Sequence, residues 1–167
     1  EMLRSLVGSE MCIRDSLYTD PEATIVRTAR EANMTMPEYS VGLAEGALDS
    51  LDGRTAVVLG ASYRGRVKET AFSGVFPTVE ALQARGAHVL VHDPMFSDDE
   101  LAGYGFNAYH VGEPADVAIV QADHPEYKEF TPADLPGLQV VVDGRGMLDS
   151  AKWEGVRFFR VGDGSLR

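Results

Sequence analysis

The hydrophobic period of the chain changes near residue 50. Before that point apolar positions recur at helical spacing, and after it short β-branched runs alternate with helical patterns. Asp20-Pro21 predicts a helix start, with aspartate at the N-cap and proline at the first helical position. Ile25, Val26, Ala29 and Ala32 then make one apolar face. Met36-Pro37 opens a second helix whose apolar positions are Tyr39, Val41, Leu43, Ala44, Ala47 and Leu48. The polar turn Asp49-Ser50-Leu51-Asp52-Gly53-Arg54 marks the expected boundary.

Beyond it, residues 55–59 form a short β-branched strand. Residues 75–85 read as a helix closed by Gly86, with Pro77 marking an alternative start that would leave 72–76 as a lead-in loop. Residues 87–92 are a strand stopped by Asp93-Pro94, and 98–103 a short helix with Asp98, Asp99 and Glu100 in its first turn. Strands follow at 117–121 and 140–143, and the apolar run 156–161 closes the pattern. Alternating strands and helices predict an α/β fold: a doubly wound, mostly parallel, Rossmann-like sheet preceded by a helical segment. Trp153 and the pair Phe158-Phe159 are expected in its core.

The turn after the first strand carries the chemistry. Leu59-Gly60-Ala61-Ser62-Tyr63-Arg64-Gly65-Arg66-Val67-Lys68-Glu69-Thr70 packs three cations and two glycines into the stretch where an open α/β sheet binds ligands, outside the carboxyl end of a strand. Glycine admits close approach of a ligand, and arginine grips phosphate bidentately. Charge sharpens the point. The chain has 15 Lys+Arg against 26 Asp+Glu, a net charge of -11. Such a surface repels nucleic acid and anionic membranes, so an anion ligand requires cations gathered locally. Arg64, Arg66 and Lys68 are gathered there, with Arg66 and Lys68 reading more simply as a solvated loop face and Arg64 as the ligand cation. A hydrophobic fraction of 44% supports a real core, and no apolar run has membrane-spanning length.

Residues 1–16 stand apart. From Leu6 to Ser16 the sequence is identical to the in-frame translation of a transposase sequencing adapter, so 1–16 is read as an adapter scar outside the fold. The single cysteine, Cys12, lies inside it. The remaining sequence therefore offers no disulfide, thiolate metal site or cysteine nucleophile. His92, His110 and His124 lack metal-triad spacing, and no metal is expected.

Several segments together resemble the UDP-glucose/GDP-mannose dehydrogenase family. Ala29-Arg30-Glu31-Ala32-Asn33 followed by Met36-Pro37 is similar to its "AR-x-x-N-x-x-MP" signature on the central helices. Leu59-Gly60-Ala61-Ser62-Tyr63-Arg64 is similar to "LGLAFK", and Ser73 falls at the serine of "RESP". His92-Asp93-Pro94, Asp123-His124 and Val142-Asp143-Gly144-Arg145 resemble the family's "DP", "D-H" and "DGR" elements in the same order. The resemblance implies residues 17–50 as the end of a central helical dimerisation domain and 51–167 as a C-terminal nucleotide-sugar-binding domain.

It further implies a cytoplasmic parent enzyme of polysaccharide biosynthesis. Such an enzyme oxidises the C6 alcohol of a UDP-sugar to a carboxylate with NAD and a cysteine thioester intermediate. Tyr63, Arg64 and Arg145 would contact the UDP-sugar, with Lys68 and Ser73 as further candidate substrate or cofactor contacts. The NAD domain and the nucleophile are expected outside this fragment; Cys12 lacks the family's flanking residues, so no catalytic residue is assigned. A homodimer through the helical segment is implied, with Ile25, Val26, Ala29, Tyr39, Leu43 and Ala47 as an exposed apolar stripe. Departures bear on the sugar. "D-x-R-E-S-P" becomes Glu69-Thr70-Ala71-Phe72-Ser73-Gly74, with Ala71 at the family arginine and Lys68 placed to compensate. A UDP-N-acetylmannosamine-type substrate stands level with an uncharacterised nucleotide sugar. The alternative function is a stand-alone α/β module binding a small phosphorylated ligand without redox chemistry. For Arg145 a salt bridge with Asp143 or Asp149 competes with the ligand role, and His124 before Pro125 reads as a loop or cap residue.

Overall fold

The computed structural model describes residues 24–164. The adapter-like segment, Cys12 and the Asp20-Pro21 helix start lie outside the described residues. The chain divides into two compact units, Glu1–Met36 and Pro37–Arg167. The first contributes α1 (Thr24–Met34); its Ile25, Ala29 and Ala32 are exposed, and the side chain of Val26 lies outside the description. The division falls ahead of the polar turn at 49–54. By packing, α2 (Met36–Leu48) belongs almost wholly to the second unit, because Val41, Ala44 and Leu48 enter that unit's core. Of the anticipated exposed stripe, Tyr39 is 45% exposed, whereas Leu43 and Ala47 pack half-buried against the same core.

The second unit is built on β1 (Thr55–Leu59), β2 (His88–His92), β3 (Asn107–Ala108), β4 (Val117–Val120), β5 (Val140–Asp143) and β6 (Arg157–Arg160). They form one sheet in the order β3-β2-β1-β4-β5-β6, and every pairing is parallel. This is the doubly wound order that reverses direction between β1 and β4. The central strands are continuous apolar runs because both their faces are covered: β4 and β5 are fully buried, and so is all of β1 after Thr55. At the flank, β2 alternates exposed or half-buried with buried positions. The two-residue β3 was not anticipated, being too short to carry an alternation.

One face of the sheet packs on α2, α3 (Val75–Gln83) and α4 (Asp98–Gly103), through Ala56, Val58, Val117, Ile119, Val140 and Val142. The opposite face, through Val57, Leu59, Ala118, Val120 and Val141, is covered by Tyr127, Leu135, Leu148 and Trp153. Those side chains stand on or beside three short 3-10 turns, Pro125–Glu129, Pro132–Asp134 and Ser150–Lys152. Proline at the head of the first two permits a turn there, and Pro132 and Pro136 prevent a long α-helix between β4 and β5. Phe158 and Phe159 alternate along β6 and join opposite cores.

α3 begins at Val75, with Pro77 inside its first turn, where the missing N–H costs nothing. Ser97 caps α4 in a capping box with Glu100. Arg85 anchors α2 onto the unit, its guanidinium 2.8 Å from both Glu38 and Glu45, which raise its pKa.

A candidate anion-binding site at the carboxyl edge of the sheet

The strand register sets the site. Leu59 aligns with His92 and with Val120; Val120 aligns with Asp143, and Asp143 with Arg160. Five strands therefore end in one row, and the loops after β1, β2, β4 and β5 leave the same edge. At the reversal point neighbouring loops are connected in opposite directions, which is where open α/β sheets generally bind their ligands.

Asp93, the residue after β2, holds the β1 loop closed. Its Oδ2 accepts from the Ala61 and Ser62 amides, both at 2.9 Å, and from the Ser62 hydroxyl at 2.8 Å. His124 Nε2 lies 3.1 Å from the same oxygen, and Oδ1 accepts from the Met95 amide. Burial alone would push this carboxyl up. The hydrogen bonds from His124, Met95 and Ser62 outweigh it and hold the pKa at about 2. His124 is 1% exposed. Its Nδ1 faces the Arg66 amide at 3.5 Å, which assigns the proton to Nε2. This ring was expected to be a loop or cap residue. His124 is the N-cap of the Pro125 turn, its carbonyl accepting from the Tyr127 amide at 3.1 Å, but its side chain makes no cap bond there. Its contacts run sideways, from the β4 loop to the β1 and β2 loops.

Asp123 is the second organiser. Its Oδ1 accepts from the Gly65 amide at 2.9 Å and from Arg145 Nη2 at 3.1 Å. The Gly65 amide, first among the causes, and Arg145 lower its pKa against its own partial burial. Asp143, fully buried at the end of β5, folds the next loop by accepting from the Arg145 amide at 3.1 Å and the Leu148 amide at 2.9 Å. Two glycines allow the close passage of these loops. A Cβ on Gly60, whose φ is +110, would sit 2.4 Å from Ala122 Cβ, and one on Gly65 would sit 2.2 Å from the Asp123 carbonyl oxygen.

The sequence candidates separate accordingly. Tyr63 is 54% exposed, and Arg64 is exposed beside it. The Arg64 and Arg66 guanidinium groups make no ion pair with the described residues, so their charge faces outward. Arg145 meets this loop at Asp123. Lys68 turns away onto Glu100, at 2.5 Å, and lies over the Phe96 ring at 5.1 Å. Ser73 is buried: its hydroxyl donates to the Ser62 carbonyl and accepts from the Val75 amide and Gln121. From sequence Asp93 was read as part of a strand stop, Asp123 only as part of a family-like pair and His124 as a loop or cap residue; none was named as a site residue. The available signal was a polar pair directly after an apolar strand at the reversal edge.

The described residues do not fit a dinucleotide. The β1 loop runs from Gly60 to Gly74 before α3 begins, so no helix N-terminus stands behind the glycines to receive a pyrophosphate. Asp93 stands where a dinucleotide domain places its ribose-binding acid after β2, yet it is 4% exposed and turned inward. Among the described residues no group of three or more His, Cys, Asp and Glu side chains is placed to hold a metal, and no helix is long and apolar enough to cross a membrane.

An all-parallel sheet with ordered polar loops at its reversal edge and two outward cations defines a doubly wound α/β ligand-binding domain. Residues 57–150, more than half of the chain, match the UDP binding domain of the UDP-glucose/GDP-mannose dehydrogenase family, and the chain belongs to that family. It is 29% identical over 151 residues to a UDP-N-acetyl-D-mannosamine dehydrogenase of Methanocaldococcus jannaschii, covering 85% of this chain and 34% of that protein. With the UDP-glucose 6-dehydrogenase TuaD of Bacillus subtilis it shares 24% over 154 residues, 86% of this chain and 33% of the relative. The structure of a UDP-glucose dehydrogenase from Pyrobaculum islandicum superposes with a TM-score of 0.71 at 27% identity, over 88% of this chain and 34% of that one. The chain thus spans about a third of the length of the relatives it matches.

Proposed function

We propose that this chain is the nucleotide-sugar-binding part of an NAD-dependent UDP-sugar 6-dehydrogenase, which oxidises the C6 alcohol of the sugar to a carboxylate. The observation that carries the reading is the meeting of the β1 loop, with Tyr63 and Arg64, and the β5 loop, with Arg145, at the reversal edge of the sheet. The family match spans all three residues. Arg64 supplies a diphosphate contact, Arg145 a second cation, and Tyr63 an exposed ring for a base or sugar face. Lys68 and Ser73 act on the loop rather than on the ligand, given their present partners.

The chemistry of oxidation lies outside this sequence in this reading, as do NAD and the nucleophile, so the chain alone is inactive. The described residues bind and orient the nucleotide. The parent is cytoplasmic, works in polysaccharide biosynthesis, and pairs as a homodimer through the helical segment that includes α1 and α2. Relatives named for UDP-N-acetyl-D-mannosamine and for UDP-glucose make both sugars the substrates to compare. Calorimetric titration of the chain with UDP tests the proposal. Saturable binding is expected, weakening with added salt because part of the attraction is Coulombic. Absence of binding up to millimolar UDP overturns it.

A further inference from the structure

Asp123 is out of place in a site for an anion. Its carboxylate is half exposed at the same edge as Arg64 and Arg145, where it would repel a diphosphate. Both of its resolved partners are donors held on one oxygen: the Gly65 amide, from the middle of the β1 loop, and Arg145, from the β5 loop. These two loops have no strand pairing with each other, since β4 stands between β1 and β5. One oxygen atom therefore joins the elements that carry the candidate ligand contacts.

The loop it holds is otherwise expensive to order. Arg66 has a φ of 63, a left-handed conformation that a non-glycine residue keeps only when its surroundings enforce it. Asp123 pins the amide before it, and the buried His124 faces the amide of Arg66 itself, with Asp93 behind. Arg145 has five N–H donors and only one is spent on Asp123, so fixing it there leaves the guanidinium able to receive a phosphate.

Building on the proposed UDP site, we propose that Asp123 is a positioning residue for the nucleotide: it pre-orders the 61–66 loop and Arg145 before the ligand arrives, and does not itself touch the ligand. Preorganisation of this kind strengthens binding by removing ordering cost from the binding step. What matters is the acceptor oxygen, and the negative charge is a cost. Asparagine, which retains that acceptor, should therefore rescue what alanine loses.

The test compares wild-type chain, Asp123→Ala and Asp123→Asn by UDP calorimetry and by amide hydrogen exchange at Gly65. Asp123→Ala should weaken UDP binding by roughly tenfold, the scale of a lost charge-assisted bond, and speed Gly65 exchange by a similar factor. Asp123→Asn should stay within about threefold of wild type in affinity, with Gly65 still protected. Unchanged or tighter binding by Asp123→Ala overturns the positioning role, as does an asparagine variant as weak as alanine. If wild type fails to bind UDP, the proposed function falls, and the exchange arm still decides whether Asp123 orders the loop. Unaltered Gly65 exchange in Asp123→Ala would then sink the inference independently.

Discussion

Arg145 reaches Asp123, not the acids nearest to it in sequence: its Nη2 lies 3.1 Å from Asp123 Oδ1, while Asp143 takes only its backbone amide. A salt bridge to Asp143 or Asp149 was the competing expectation for this arginine. Asp143 is fully buried, accepts from the Arg145 and Leu148 amides and pairs with Arg160 at 3.7 Å, while the Arg145 guanidinium extends to the neighbouring loop. That is what brings a β5 cation to the β1 loop.

The two outward arginines should differ in their effect. Arg64 follows Tyr63 in the part of the loop joined to Arg145 through Asp123, whereas Arg66 is linked to the fold only through its backbone. Arg64→Ala should weaken UDP binding about tenfold or more, since a hydrogen bond to a charged group contributes about 1.5–3 kcal/mol. Arg66→Ala should cost less than about threefold, as expected from diffuse attraction alone. Calorimetry on both variants checks this, and equal losses would contradict a specific contact at Arg64.

Gly65→Ala should damage the site even though no side chain is removed. The new Cβ would lie 2.2 Å from the Asp123 carbonyl oxygen, a backbone atom with no freedom to retreat. Overpacking of this kind costs about 1–3 kcal/mol. The β1 loop should shift away from β4, and UDP affinity should fall with stability. A thermal melt and a UDP titration on the variant would show both losses; an unchanged titration would detach this contact from the site.

Acid should expose the Asp93 clamp. Its folded pKa of about 2 lies below the ordinary value of 3.8. A depressed carboxyl contributes stability that is complete above the unfolded pKa and is lost as pH falls through the folded one. For this residue the window is pH 4 to 2 and the contribution about 2 kcal/mol. Trp153, the only tryptophan and buried, reports unfolding through its fluorescence. Denaturant midpoints for wild type should fall across that window. Asp93→Asn, already destabilised at pH 7, should show a flatter dependence there.

Lys68 and Ser73 should affect the fold and not the ligand. Lys68→Ala breaks an exposed pair with Glu100, and solvent-exposed pairs add little to stability. Ser73→Ala strands the Val75 amide and Gln121 and should cost about 1–2 kcal/mol. UDP affinity should remain within about twofold in both. A tenfold loss for Lys68→Ala, with stability intact, would return it to the ligand site.

Most of the architecture was legible in the order of residues. The apolar runs at β1, β4 and β5 are continuous because they are buried on both faces, and that burial leaves a signature along the chain. The α4 boundaries were legible from the acidic first turn, and α3 from its apolar period. The cover of the second sheet face was less legible. Trp153 was legible as core from its aromatic character, but Tyr127 and Leu135 sit on or beside 3-10 turns too short to carry a period, so only their packing declares them core. The β3 edge was invisible for the same reason.

The site divides along the same line. The β1 turn, with its glycines and cations, could be picked out locally as a candidate because those residues are consecutive. The roles of Asp93, Asp123 and His124 could not, since each acts on a loop contributed by a different strand. Their partners are fixed by strand order and register, which place the ends of β2, β1, β4 and β5 side by side. Sequence by itself determined the long helices, the apolar strands and which turn bears the cations, because periodicity and turn chemistry are local. Tertiary structure alone decided which carboxylate holds which amide, because hydrogen bonds form between neighbours in space.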